Sequence, residues 1–403
     1  MDDSLTGLLI VFACAVAIPA ALVFVPRIRI PSTVLEIVAG ILIGPSVLGW
    51  VDLDDPAVGV ISLLGLGMLL FIAGLELHLR EILGAHMPII LMAYAVSCGF
   101  ALAAGLILDA TGIIGSPLFV AIILASTALG VLTPILKDSG LLKTPIGQVV
   151  FAACAVAEII PIVLLSLFFS RSGGSVLDHA MSLAIFLCIA GALGFAMAAG
   201  TRFPSLITRF NRIADTTAQI RVRETMLLLV AFAVIAERLG VELILGTFAV
   251  GLIIANTRGD LLTVTYYTTK VEAIGFGVFI PVFFVYTGMK MDVNSVFESP
   301  GAILRVFVLL LALLIVRGLP ALLLYPRVMS RREALGVGLF QSTSLSFPLA
   351  AVALGTAIGE ISSEAGTALI AAAMLSVVIL PPLGDRALRP FATAAVTEEP
   401  IQA

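Results

Sequence analysis

Residues 125–134 read ASTALGVLTP and residues 341–348 read QSTSLSFP. Each sets hydroxyls and a proline in the middle of a long apolar run. The first carries Ser126, Thr127, Thr133 and Pro134, and the second Gln341, Ser342, Thr343, Ser344 and Pro348. Proline removes a backbone donor and interrupts the helical ladder, and clustered hydroxyl and amide groups can re-satisfy what is freed. The two stretches therefore predict two broken helices. They also match each other, STAL (126–129) with STSL (342–345), and the match is not isolated. AGILIG (39–44) returns as VGLIIA (250–255) and AGLEL (73–77) returns as TGMKM (287–291), in the same order and at nearly the same offset of a little over two hundred residues.

What surrounds these motifs decides the solvent. Of 403 residues, 60% are hydrophobic and only 12% charged, with a mean hydropathy of +1.18. Soluble chains are about half apolar and a quarter charged. A water-facing globule could not hide this much apolar surface, so most of the chain must lie in lipid. Apolar stretches long enough for helical spans run over 5–26, 34–51, 57–79, 87–110, 117–137, 145–170, 177–200, 224–239, 241–256, 271–291, 302–324, 334–358 and 364–384, thirteen in all. The eighth and ninth are short, parted only by a turn at Gly240. With the N-terminus outside, most of the 22 lysines and arginines fall in loops and a tail on one side, among them Arg27, Arg80, Arg209, Arg212, Arg331 and Arg332. That asymmetry is the positive-inside pattern, and it places the C-terminus in the cytoplasm of a multi-pass inner or plasma membrane protein.

Seven spans separate each matched pair: second with ninth, third with tenth, fifth with twelfth. An odd number reverses direction through the membrane, so the halves are expected to be inverted. Inverted repeats are the architecture of many secondary transporters, and broken helices in corresponding positions mark their binding sites. The expected organisation is a first six-helix repeat over 1–175, a linker helix and cytoplasmic loop over 176–222, a second six-helix repeat over 223–386, and a cytoplasmic tail over 387–403.

Within the spans, one acid stands out. Glu158 lies in FAACAVAEIIPIV (151–163), near the middle of the sixth span. An ionised carboxylate at that depth costs at least ~2.5–3.5 kcal/mol and is a functional hypothesis by default. It can hold a proton or a partly dehydrated cation, but not both. Arg317, in LLIVRGLPALLL (313–324), lies at nearly the same depth and stays charged wherever it is placed, which makes it the expected charge partner of Glu158. Glu36, Glu76 and Lys290 sit near span ends, where snorkelling or capping is expected. Glu237, Arg238 and Glu242 surround an outer turn, and His78, His86 and His179 fall at loop edges; solvated surface is the expectation for all six. Phe283 and Phe284 read as packing residues.

Other chemistries find no support. A net charge of −4 carries no nucleic-acid patch. Cys14, Cys98, Cys154 and Cys188 lie inside apolar runs without disulfide or metal-ligand spacing, and read as small hydrophobes. There is no Gly-rich phosphate loop, zinc spacing or hydrolytic triad, so neither an enzyme nor a cofactor is expected.

GILIGPSVLG (40–49), LLFIAGLEL (69–77), STALGVLTPILKDSGLLKTPIGQ (126–148) and IPVFFVYTGMKMD (280–292) resemble the monovalent cation:proton antiporter-2 family, with its sodium/hydrogen-exchanger fold. The resemblance implies an all-α fold of about thirteen transmembrane helices, two of them broken and crossing near an ion site. It further implies a dimerisation domain, a mobile core domain and a homodimer. Carried onto this chain, it implies that Thr127 is the hydroxyl residue at the first break, that Glu158 exchanges Na⁺ or K⁺ for H⁺, and that Arg317 faces that acid. Relatives often carry two adjacent acidic or amide–acid residues in the sixth helix; this chain has Ala157-Glu158.

The residues and the resemblance together point to a secondary antiporter exchanging Na⁺ or K⁺ for H⁺. Glu158 is the transient shared seat, with Ser126 and Thr127 supplying oxygens. One titrating carboxylate implies electroneutral one-for-one exchange. A sodium-coupled organic-anion transporter of similar fold, or a non-transporting membrane sensor or subunit, remain the alternatives open to the sequence.

Overall fold

A computed structural model describes residues 2–24, 31–53, 55–77, 86–142, 144–169, 176–200, 219–257, 261–297 and 300–397. Among them every regular element is a helix: α1 (Asp2–Phe24), α2 (Ser32–Ile43), α3 (Pro56–Glu76), α4 (Met87–Ala110), α5 (Pro117–Leu124), α6 (Leu129–Asp138), α7 (Pro145–Phe168), α8 (Val176–Gly200), α9 (Ile220–Arg238), α10 (Leu243–Thr257), α11 (Leu261–Ile274), α12 (Ile280–Met289), α13 (Val293–Phe297), α14 (Pro300–Leu324), α15 (Arg331–Gln341), α16 (Ser346–Ile358) and α17 (Ser363–Thr397). A π turn, Gly275–Phe279, joins α11 to α12. Among the described residues, eight helical segments are long and apolar enough to cross a bilayer, and four shorter apolar ones accompany them. The basic loops around Arg27, Arg80, Arg209 and Arg212 lie outside the described residues, as does His78.

Two expected spans are interrupted as anticipated: α5 and α6 share the fifth, α15 and α16 the twelfth. The prolines are not what divides them. Pro134 sits inside α6 and Pro348 in the first turn of α16, where a missing N–H is tolerated. The second span is shorter than 34–51, because Gly44-Pro45 stops α2 at Ile43. The chain then folds back so that Leu48 N–H donates to Leu42 O and Trp50 N–H to Ile43 O, which satisfies the helix-end carbonyls.

The helices gather into two compact units, and each draws on both halves of the chain. The first comprises Met1–Pro19, Glu36–Leu79 and Val163–Met289. Its helices meet at glycines of the repeated motifs. A Cβ on Gly40 of α2 would fall 1.9 Å from Val285 O of α12, and one on Gly288 of α12 2.0 Å from Ile37 O of α2. In the same way a Cβ on Gly74 of α3 would fall 2.2 Å from Phe248 O of α10, and one on Gly251 of α10 2.0 Å from Phe71 O of α3. Only residues without a side chain permit such backbone contact. Val11, Ile43, Val51, Val58, Val282, Val285 and Met289 close a core around the first of these crossings. Phe283 and Phe284 are buried packing residues, as expected.

Three polar groups of this unit depart from expectation. Glu242 and His179 are buried rather than solvated, and Glu36 is buried where snorkelling or capping is expected. His179 Nδ1 lies 3.3 Å from Leu167 O. Hydropathy locates span ends but not the neighbours that cover them. His86, Glu237, Arg238 and Lys290 are exposed.

The second unit comprises Ala20–Leu35, Arg80–Ile162 and Lys290–Ala403. It holds α4, α5, α6, most of α7 and α13 to α17. α15 opens with a capping box: Glu333 N–H donates to Ser330 Oγ, and Ser330 N–H donates back to Glu333 Oε2.

Candidate functional site: two helix breaks and a buried acid

The breaks at 125–128 and 342–345 both belong to the second unit, and each completes the other's backbone. Ala128 N–H donates to Thr343 O at 3.0 Å. Ser126 Oγ lies 2.9 Å from Ser344 Oγ, and Thr127 Oγ1 donates to Gln341 O at 2.7 Å. Locally, Ser126 Oγ meets Ile123 O and Ser342 Oγ donates to Gly338 O, so hydroxyls take up carbonyls that a broken helix leaves open. Thr343 Oγ1 donates to Leu339 O in the same manner. Ser344 N–H donates to Ser376 Oγ of α17, at 3.1 Å.

Glu158 is wholly buried in α7. Its Oε2 accepts the N–H of Leu129, the first residue of α6, at 3.1 Å, while its Oε1 has no hydrogen-bond partner. The carboxylate thus faces the positive end of a half-helix. Pro161 explains how α7 reaches the break. A proline three residues after Glu158 cannot donate to the carbonyl of Ala157, four residues before it, and that carbonyl accepts Thr127 N–H instead, at 3.2 Å.

Arg317 is 2% exposed in α14. Its depth predicts pairing with Glu158, but its Nε donates to Thr127 Oγ1 at 3.1 Å and to Gln341 O at 3.4 Å. The guanidinium carbon stands 5.1 Å from the centroid of the Tyr94 ring. The arginine therefore sits at the carbonyl end of α15, where the helix dipole favours a cation. Gly318 and Gly338 allow this approach, since a Cβ on Gly338 would lie 3.1 Å from Gly318 O. Gln341 Nε2 donates to Tyr325 OH at 2.9 Å.

The structure thus brings Glu158, Ser126, Thr127, Arg317, Gln341, Ser342, Thr343 and Ser344 into one buried polar centre. Pro348 stands just beyond it in α16, and the side chains of Thr133 and Pro134 lie outside the described residues. Three members were missed in the sequence: Tyr94, Tyr325 and Ser376. Tyr94 and Tyr325 are two of only five tyrosines, and Ser376 is the lone hydroxyl in LIAAAMLSVVIL (369–380). Polar atoms deep within apolar spans were the available signal.

An all-helical membrane protein with two interrupted helices joined at their breaks beside a buried acid has the architecture of a secondary transporter. The chain belongs to the sodium/hydrogen exchanger family: residues 11–386 match the family described as sodium/hydrogen exchanger, transmembrane. This bears out the resemblance carried by the four motifs, and the protein is a multi-pass membrane protein. It is similar to YjbQ of Bacillus subtilis, with 27% identity over 377 residues that cover 88% of this chain and 58% of that one. It is also similar to the Na⁺/H⁺-K⁺ antiporter GerN of Bacillus cereus, with 26% identity over 370 residues, 89% of this chain and 90% of that one. The chain thus spans little more than half the length of YjbQ. Its fold matches that of the sodium proton antiporter MjNhaP1 from Methanocaldococcus jannaschii, with a TM-score of 0.66, 16% identity and 98% of each chain covered.

Proposed function

We propose that this chain exchanges Na⁺ or K⁺ for H⁺ across an inner or plasma membrane, one for one, with Glu158 as the seat both ions contest. The observation that carries the reading is the state of that carboxyl: fully buried, one oxygen on the N–H of Leu129, the other without a partner. An open carboxylate oxygen in a medium of low dielectric is completed by a proton or by a cation that has shed water. Sodium and potassium require hard oxygen ligands. Ser126 and Thr127 adjoin the acid at the break. The Thr127 hydroxyl is engaged with Arg317 and Gln341, so Thr127 would contribute through its main-chain oxygen. One titrating acid then exchanges one charge for one charge. The chain's organisation as two inverted repeats, its homodimeric state, and its orientation with the N-terminus outside and the C-terminus cytoplasmic belong to the same proposal.

Purified protein in sealed vesicles containing a pH-sensitive dye tests it. Added Na⁺ should move protons at a rate unchanged when valinomycin and K⁺ gradients clamp the voltage, and added K⁺ at a rate unchanged when a gradient of the lipophilic cation tetraphenylphosphonium sets it. Glu158→Gln should abolish the signal while the protein elutes as the same folded species. A signal retained in that variant removes Glu158 from the mechanism, and a rate that follows the clamped voltage removes the one-for-one ratio.

A further inference from the structure

Two opposite charges are buried on the same helix break without meeting. Glu158 is tied to Leu129, and Arg317 to Thr127, two residues earlier. Glu158 Oε1 and Arg317 Nη2 are both buried, and neither has a hydrogen-bond partner. Groups of opposite charge buried away from water attract more strongly than they would in it, and each of these lacks what the other could supply. Something must hold the guanidinium where it is. Two contacts use its Nε, on Thr127 Oγ1 and Gln341 O, and these fix one edge while leaving the group free to swing about it. On its other side the guanidinium meets the ring of Tyr94, 5.1 Å from the guanidinium carbon. Tyr94 is 4% exposed in α4. That helix is pressed against the start of α5 at Gly105, where a Cβ would lie 2.2 Å from Pro117 O. The ring is therefore a fixed surface, and a desolvated guanidinium on an aromatic face is among the stronger cation–π contacts.

We propose that Tyr94 is a positioning residue that keeps Arg317 on its ring face and out of an ion pair with Glu158, leaving the acid open to exchange. The proposal rests on the exchange reading above. Without the ring, Arg317 is free to close on Glu158 Oε1, and an entering cation must then displace an internal one.

The test uses the full chain in the same vesicles. Tyr94→Leu should raise the apparent KM for the transported cation roughly thirtyfold, the scale of a desolvated cation–π contact, with the maximal rate little changed. Tyr94→Phe keeps the ring and should restore the wild-type KM. A wild-type KM in Tyr94→Leu, a fall in maximal rate alone, or a Tyr94→Phe as impaired as the leucine variant would each overturn the proposal. Tyr94→Met serves if the leucine variant does not fold. A stability cycle reads the same rearrangement without transport. Glu158→Gln should lower the melting temperature more in the Tyr94→Leu background, where it breaks a new pair, than in wild type. Equal effects in both backgrounds would overturn the proposal even if wild type showed no exchange, and a silent wild type with unequal effects would sink the exchange reading alone.

Discussion

At the scale of the residue, Thr127 shows how little a side chain's type says about its task. A hydroxyl at a helix break beside a buried acid invites reading as an ion ligand. Here its single proton goes to Gln341 O, and its oxygen accepts from Arg317 Nε. It links a charged group to the carbonyl end of α15, and so belongs to the support of the site. Thr127→Val keeps the shape and removes both bonds, leaving Nε with only the 3.4 Å contact to Gln341 O. The expected cost is about 1–3 kcal/mol, since a buried charged donor loses its nearer acceptor. Thermal unfolding in detergent measures it, and an unchanged melting temperature would show that the hydroxyl carries none of this load.

Elements in the first unit meet backbone to backbone, so their stability is concentrated at a few glycines. A Cβ on Gly251 would stand 2.0 Å from Phe71 O, and the obstacle is main chain that no rotamer change can clear. Gly251→Ala should therefore cost at the upper end of the ~1–3 kcal/mol typical of overpacking, or exceed it, and show as aggregation or early melting on fluorescence-detected size exclusion. Gly191 in α8 is the control, with nothing within 4 Å of a Cβ. Gly191→Ala should be neutral or stabilise by up to about 1 kcal/mol, because alanine is the better helix former. The same geometry explains the recurrence of AGILIG and AGLEL as VGLIIA and TGMKM: Gly40 meets the helix that carries Gly288, and Gly74 meets the helix that carries Gly251.

For the molecule as a whole, the proposed function has a kinetic signature. If one carboxyl serves both ions, lowering the pH on the side where the cation binds, with the opposite side held fixed, should raise the apparent KM for the cation and leave the maximal rate untouched, as simple competition requires. Initial rates over a matrix of cation and proton concentrations check this. A maximal rate that changes in proportion to proton concentration, at constant KM, would argue for separate sites. The assembly also has a consequence for folding. Each compact unit combines segments from both halves of the chain, so the polar centre joins residues 126–158 to residues 317–376. Closing loops of that length carries an entropic cost before any of these contacts is gained.

The apolar spans, the location of the two breaks and the burial of an acid at Glu158 were legible in the residues. Each is a local property: hydrocarbon admits only sequences that satisfy their own backbone, and a carboxyl there is costly wherever the chain leads it. The paired motifs were legible too, because close helix contacts demand glycine at fixed places. What the residues could not disclose is which groups meet. Arg317 rests on Thr127 and Tyr94 rather than pairing with Glu158, Ser376 supports the second break, and Glu36, Glu242 and His179 are covered by neighbours. Those outcomes depend on helices far apart in sequence arriving side by side, and only the tertiary structure decides that.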